Sequence, residues 1–272
     1  DTSKIIPTLK QVKKPIWDSN TIRWDEVTDA SQYELKLYNG KTLIQTQTVQ
    51  NNVQQYNFEK QMVKPGSYTV TVQAIGDSVN YRDSIVSSPS EVNKKLTTLA
   101  KPQKPTWSGD SIHWKMLEHA KTAELRLYRG KTLILTKRVA AGDKKYNFSS
   151  KMKNPGEFTV TIKAIGDNKS YQTGAASAHS DKKITLKQVL KPTWKGTVIQ
   201  WHSVAKASKY ELTLYRGAKL VNTKYVTGST HKYSFTSKMK VHGTYTVTVE
   251  AIGNHKTYRN GPISRRSVGK KR

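Results

Sequence analysis

The stretch Tyr33-Glu34-Leu35-Lys36-Leu37-Tyr38-Asn39-Gly40 sets an apolar residue at every second position and ends in a turn dipeptide. Such alternation places Tyr33, Leu35 and Leu37 on one face of a half-buried strand. Asn-Gly between two such runs marks a hairpin. The string returns as Ala123 to Gly130 and as Tyr210 to Gly217, with Arg129-Gly130 and Arg216-Gly217 at the turns. Around it the whole chain repeats. All six Trp form three pairs seven residues apart: Trp17 and Trp24, Trp107 and Trp114, Trp194 and Trp201. The first copy maps onto the second at an offset of 90, without a gap from Trp17 to Tyr81. The second maps onto the third at an offset of 87, without a gap from Trp107 to Tyr258. The difference falls between Tyr171 and Thr185, where a loop absorbs it.

A second alternating run, Tyr68 to Ala74, follows the turn signal Lys64-Pro65-Gly66, and Asn154-Pro155-Gly156 precedes its counterpart. No 3.6-residue periodicity persists. Short strands at this spacing predict an all-β chain of three tandem β-sandwich modules. We expect Trp24, Trp114 and Trp201 to be buried in three separate cores. The boundaries predicted are a module at 13–100, a second at 101–189 and a third at 190–272. Residues 1–12 read as a linker or as the last strand of a missing upstream module. Linkers such as Lys101-Pro102-Gln103-Lys104-Pro105 favour extended, stiff conformations.

Trp24, Tyr33-x-Leu35, Tyr56-x-Phe58, Met62, the run Tyr68 to Ala74 and Ser84 resemble a fibronectin type III module. The resemblance covers nearly the whole chain in three copies. That family carries a Leu six residues before a Tyr that opens its sixth strand; Met62, Met152 and Met239 take the Leu place here. The Ala-Ile-Gly-Asp variant ending at Tyr81 and Tyr171 is similar to repeats of Gram-positive bacterial surface proteins, which implies an extracellular, cell-surface location. Two departures stand out. Phe158 replaces the Tyr of the other copies, and Ala123 replaces Tyr33 and Tyr210, so the middle module is expected to be the least stable. The Arg-Gly-Asp tripeptide of some family members is absent.

Several chemistries are excluded or unsupported. With no Cys there is no disulfide, thiol nucleophile or Cys-ligated zinc. The seven His do not repeat at the module offsets, and no metalloprotease, phosphate-loop or nucleophile-elbow motif occurs. The third copy has only Glu211 and Glu250 as acids, which leaves little for a carboxylate pair. The loop of Asp25, Glu26 and Asp29 reads as a solvated charged loop ahead of a cation site. We therefore expect no catalysis and no cofactor. No apolar run approaches the ~18 residues of a membrane span, so no membrane insertion is expected, and we expect a monomer.

Charge is the strongest functional signal. The chain carries 47 Lys+Arg against 19 Asp+Glu, a net of +28. Residues 1–100 hold 12 basic and 10 acidic residues, 101–190 hold 18 and 7, and 191–272 hold 17 and 2. One fold with three charges means that the fold does not require the gradient. Such a surface repels itself unless a polyanion is its partner. The candidate polyanion-binding residues are Arg129, Lys137, Arg138, Lys144, Lys145, Lys151 and Lys153 in copy two. In copy three they are Arg216, Lys224, Lys232, Lys238, Lys240, Arg265 and Arg266. Tyr128 and Tyr215 point out of the sandwich, where they stack on a ligand or, the preferred reading, cover neighbouring strands. Trp17, Trp107 and Trp194 cover a sandwich edge or form a sugar platform. Tyr81, Tyr171 and Tyr258 pack between modules or meet a ligand. The function expected is a non-enzymatic binding, adhesion or wall-attachment protein that holds anionic polymers, either teichoic acid or sulfated and acidic host glycans. The alternatives are a passive spacer, an accessory carbohydrate module of a larger protein, or a nonspecific nucleic-acid binder. No Leu-Pro-x-Thr-Gly sorting motif occurs, so retention on a wall would be noncovalent.

Overall fold

A computed structural model describes residues 5–272. They divide into two compact units, one holding the first repeat and the other the second and third. The first repeat runs β1 (Ile16–Asp18), β2 (Thr21–Arg23), β3 (Gln32–Asn39), β4 (Thr42–Gln50), β5 (Gln55–Asn57), β6 (Gly66–Ile75) and β7 (Asn93–Lys95), with β8 (Thr97–Thr98) leading onward. The second has β9 (Thr106–Ser108), β10 (Ser111–His113), β11 (Thr122–Arg129), β12 (Thr132–Ala140), β13 (Lys145–Asn147), β14 (Gly156–Ile165), β15 (Tyr171–Gln172) and β16 (Lys183–Thr185). The third has β17 (Thr193–Lys195), β18 (Val198–Gln200), β19 (Lys209–Arg216), β20 (Lys219–Thr227), β21 (Lys232–Ser234), β22 (Thr244–Ile252), β23 (Tyr258–Arg259) and β24 (Lys270–Lys271).

Each repeat is a fibronectin type III-like sandwich. A three-stranded sheet, β1-β2-β5 in the first, faces a four-stranded one, β4-β3-β6-β7. The central pair β3–β6 runs antiparallel from Gln32↔Ile75 to Asn39↔Tyr68, so Tyr33, Leu35 and Leu37 share a buried face with Val70, Val72 and Ala74. Three separate hydrophobic cores result, and Trp24, Trp114 and Trp201 are each buried in their own. Gly40, Gly130 and Gly217 turn the hairpins at φ near +60°, a conformation open to Gly at little cost.

Leu9 and Val12 pack in the first core, and Leu9 N–H bonds Arg82 O at 3.0 Å. These two residues thus belong to the repeat that follows them. Leu186 and Val189 do the same in the third. Strand β16 has two neighbours: it runs antiparallel to β14 and parallel to β23, so it closes the second sandwich and opens the third.

After β6 the chain follows a period of three, not two. Ser84, Ser87 and Ser90 are buried, and their hydroxyls accept the N–H groups of Ala74, Val72 and Val70. Ser177 and Ser180, then Ser264 and Ser267, repeat the device. A side chain every third residue on one side is the geometry of an extended polyproline-type strand.

The Gly-Asp-(x)3-Tyr motif is also structural. Asp77 Oδ1 accepts the N–H groups of Val79, Asn80 and Tyr81, which holds its carboxyl below the usual range. A Cβ on Gly76 would lie 2.1 Å from Tyr81 O, so only Gly fits. Tyr81 and Tyr258 pack on their own cores, and Tyr171 stacks on His119.

The middle module lacks two interactions that its neighbours make. Tyr68 Oη donates to Lys64 O at 2.7 Å and Tyr245 Oη to Val241 O at 2.6 Å; Phe158 is as deeply buried and has no hydroxyl. The hydroxyls of Tyr33 and Tyr210 accept Val27 and Val204 N–H at 2.7 Å, and their rings pack edgewise on Trp24 and Trp201 at 5.5 Å. Ala123 provides neither. Its cross-strand partner Ala164 lines a cavity of about 210 Å³ with Trp114 and Leu117. Phe158→Tyr should restore the corner bond to Asn154 O and stabilise this sandwich by about 1 kcal/mol, read as a higher melting temperature of its transition. An unchanged or lower value would show that the pocket rejects the hydroxyl.

Candidate polyanion-binding surface

In each sandwich the outer strand of the larger sheet comes beside the outer strand of the smaller one. In the first repeat this edge is neutral: Tyr56 Oη donates to Gln47 Oε1 at 3.1 Å. In the third, Lys224 stands in the Gln47 place, with its Nζ 5.8 Å from the centre of the Tyr233 ring. Lys232 adjoins that ring on β21 and is exposed. Lys137 holds the matching place on β12, and Lys144 and Lys145 lie exposed at the start of β13. One line of the sandwich surface therefore changes from amide and phenol to lysine and phenol. A cation over a ring keeps its charge available to solvent while the ring orients it.

The single helical turns Ser149–Lys151 and Thr236–Lys238 follow β13 and β21. They carry Lys151 and Lys238, with Lys153 and Lys240 just beyond, all exposed. Their backbones are fixed because Phe148, Met152, Phe235 and Met239 between them are buried in the cores. Among the described residues none of these lysines is in an ion pair, and the third repeat has no ion pair within itself.

The arginines are more engaged. Arg138 pairs with Glu124 Oε2 at 3.2 Å while Arg126 holds the other oxygen at 2.9 Å. That carboxylate is almost fully buried and offsets part of both charges. The stems of Arg129 and Arg216 lie over Gly156 and Gly243, where a Cβ would approach them to 2.9 Å. Arg266 lies on the Tyr215 ring at 4.0 Å and donates to Gly217 O, whereas Arg265 is exposed. Tyr128 is covered in the same way by His179, 4.8 Å from ring to ring. Both outward Tyr faces thus meet a neighbour from their own module. Trp17, Trp107 and Trp194 donate from Nε1 to Glu91 O, Asp181 O and Val268 O, which pins the closing segment of each sandwich.

Two cations leave the surface. Lys183 is 1% exposed, and its Nζ donates to His255 O and Lys256 O, so burial lowers its pKa. Arg259 grips Asp110 with two bonds of 2.7 and 3.1 Å and also donates to Met152 O. Both tie the second repeat to the third. Their role depends on contacts between modules, which a repeat alignment does not display.

Glu211 and Glu250 stand directly opposite each other on β19 and β22, so the third repeat does bring its two acids together. Tyr225 Oη donates to Glu211 at 2.7 Å. Burial, with the Glu211 charge added, pushes the Glu250 carboxyl up, against a bond from Asn260. Among the described residues no group of three or more His, Cys, Asp or Glu is placed to hold a metal. An acid whose pKa is raised on folding stabilises the fold below its unfolded value and loses that stabilisation as pH rises through the folded value. Glu250→Gln should therefore raise the melting temperature near neutral pH, with the gain shrinking as pH falls to about 4. A gain that is the same at both pH values would show that charge is not the cause.

No family model and no curated protein matches the chain. Among solved structures it is similar to the FN1-FN3 domains of chicken CNTN1, at 14% identity over 96% of this chain and 98% of that one, with a TM-score of 0.29.

Proposed function

We propose that the chain is a non-enzymatic binding protein of an extracellular surface. Its second and third modules hold anionic polymers, either wall teichoic acid or acidic host glycans. The observation that carries this reading is the row of exposed lysines without acidic partners, Lys137, Lys144 and Lys145 in one module and Lys224 and Lys232 in the next. The matching edge of the first module is uncharged. Attraction of this kind needs no shaped pocket and weakens as salt shortens the Debye length. Lysine presents a point charge to phosphate, sulfate or carboxylate alike, so the surface selects for charge density ahead of sugar identity. The first module, near neutral, serves as a spacer.

Retention of the whole chain on immobilised teichoic acid, heparin and DNA across a salt series tests this. Binding should fall steeply with salt on all three. Replacing Lys137, Lys144, Lys145, Lys224 and Lys232 by Gln should lower the salt dependence by about one unit of logarithmic slope per lost contact. Binding that ignores salt, or that survives these substitutions, defeats the reading. Salt-resistant binding of one neutral sugar would move the site to the aromatics.

A further inference from the structure

Tyr33 and Tyr210 fill a definite place in the first and third sandwiches. Each ring packs edgewise on the core Trp at 5.5 Å, and each hydroxyl accepts the N–H of Val27 or Val204. Each residue also faces Ala74 or Ala251 across the central strand pair. The second sandwich keeps these surroundings and omits the ring. Trp114, Leu117 and Ala164 are the counterparts of the three neighbours, and all three line the cavity of about 210 Å³. In the third sandwich, where Tyr210 is in place, the matching groove is lined by Val204 and the loop around it and stops short of Trp201 and Ala251. The cavity therefore runs inward because a ring is missing. Leu117 N–H, in the position from which Val27 and Val204 donate to a phenol oxygen, has no hydrogen-bond partner among the described residues.

We propose that this cavity is a binding site for a free, single-ring phenol. The occupant is named by the two copies that carry it as their own side chain. The Trp114 indole stands ready for the edge-to-face contact that both neighbours make, a geometry that aromatic pairs prefer. The Leu117 N–H supplies one donor for one oxygen. The inner wall of Ala164 and Leu117 offers no charge to pair with an ion, which favours a neutral ring. An apolar cavity of about 150 Å³ holds a benzene-sized ligand, so the volume here is sufficient. Exposed Lys101, Gln103, Lys115 and Glu118 line the same cavity, so a ligand reaches it from solvent. The site shares no side chain with the lysine surface and does not depend on the polyanion reading.

Phenol itself is the probe, titrated into the full chain to about 10 mM, which spans the millimolar affinity of so small a ligand. The readout is the indole N–H signals of the six Trp in a proton–nitrogen NMR spectrum. The Trp114 signal should move and saturate, while those of Trp24 and Trp201, each already packed on its own Tyr, stay fixed. Cyclohexanol has the hydroxyl without the aromatic ring and should bind at least about three-fold more weakly. Ala123→Tyr supplies the ring from within the chain, so it should raise the melting temperature and abolish the phenol shift. If that variant does not fold, Ala123→Tyr/Leu117→Val replaces it, since it takes both residues from the other copies. A Trp114 signal that phenol leaves unmoved overturns the proposal, as do equal shifts at all three core Trp. Cyclohexanol binding as tightly as phenol, or an undiminished shift in the filled variant, overturns it too.

Discussion

The full-length pairing of β3 with β6, and of its counterparts β11 with β14 and β19 with β22, is the contact on which the rest depends. With the register set, a period-two sequence has no freedom left: a slip of one residue would turn Leu35, Leu37, Val70 and Val72 into water. The smaller sheet and the Trp pack against the face that this pairing creates, and the closing segment bonds along the remaining edge of β6. The opposite face and the outer edge make no comparable demand. Charge can change there from one repeat to the next without disturbing a core, and it does.

Most of the fold was legible because it rests on alternation. Tyr33-x-Leu35-x-Leu37 and Tyr68-x-Val70-x-Val72 name their own buried face, and the turn signals separate them. What escaped has a different physical basis. The Ser84, Ser87 and Ser90 series obeys a period of three, so a search for alternation passes over it. Leu9 and Val12 lie ahead of the first Trp and join its core through a parallel contact, which leaves no hairpin signature in the sequence.

The candidate site was legible as a composition and less so as a surface. Lys224 and Tyr233 sit on strands of different sheets, and only the meeting of those sheets brings the cation to the ring. Counting cations also included some that are occupied. Lys183 is enclosed by carbonyls, Arg259 is held by Asp110, and Arg138 shares Glu124 with Arg126. The acids deceived in the opposite direction. Glu211 and Glu250 are 39 positions apart in the sequence and adjacent in the sheet.

Lysine on an outer strand has a reason to exist without any ligand, because it keeps two edges apart. Lys137, Lys219 and Lys224 are therefore explained whether or not a polymer binds. Lys144, Lys145, Lys151, Lys153, Lys232, Lys238 and Lys240 are not. They stand off the outer strand of the larger sheet, on the smaller sheet and on the turns that follow it. The first repeat folds the same turn with Glu59, Lys60 and Lys64 in that region, one acid among the bases. Edge protection thus accounts for a pair of cations on each outer strand, and the remaining excess is the part that calls for an anionic partner.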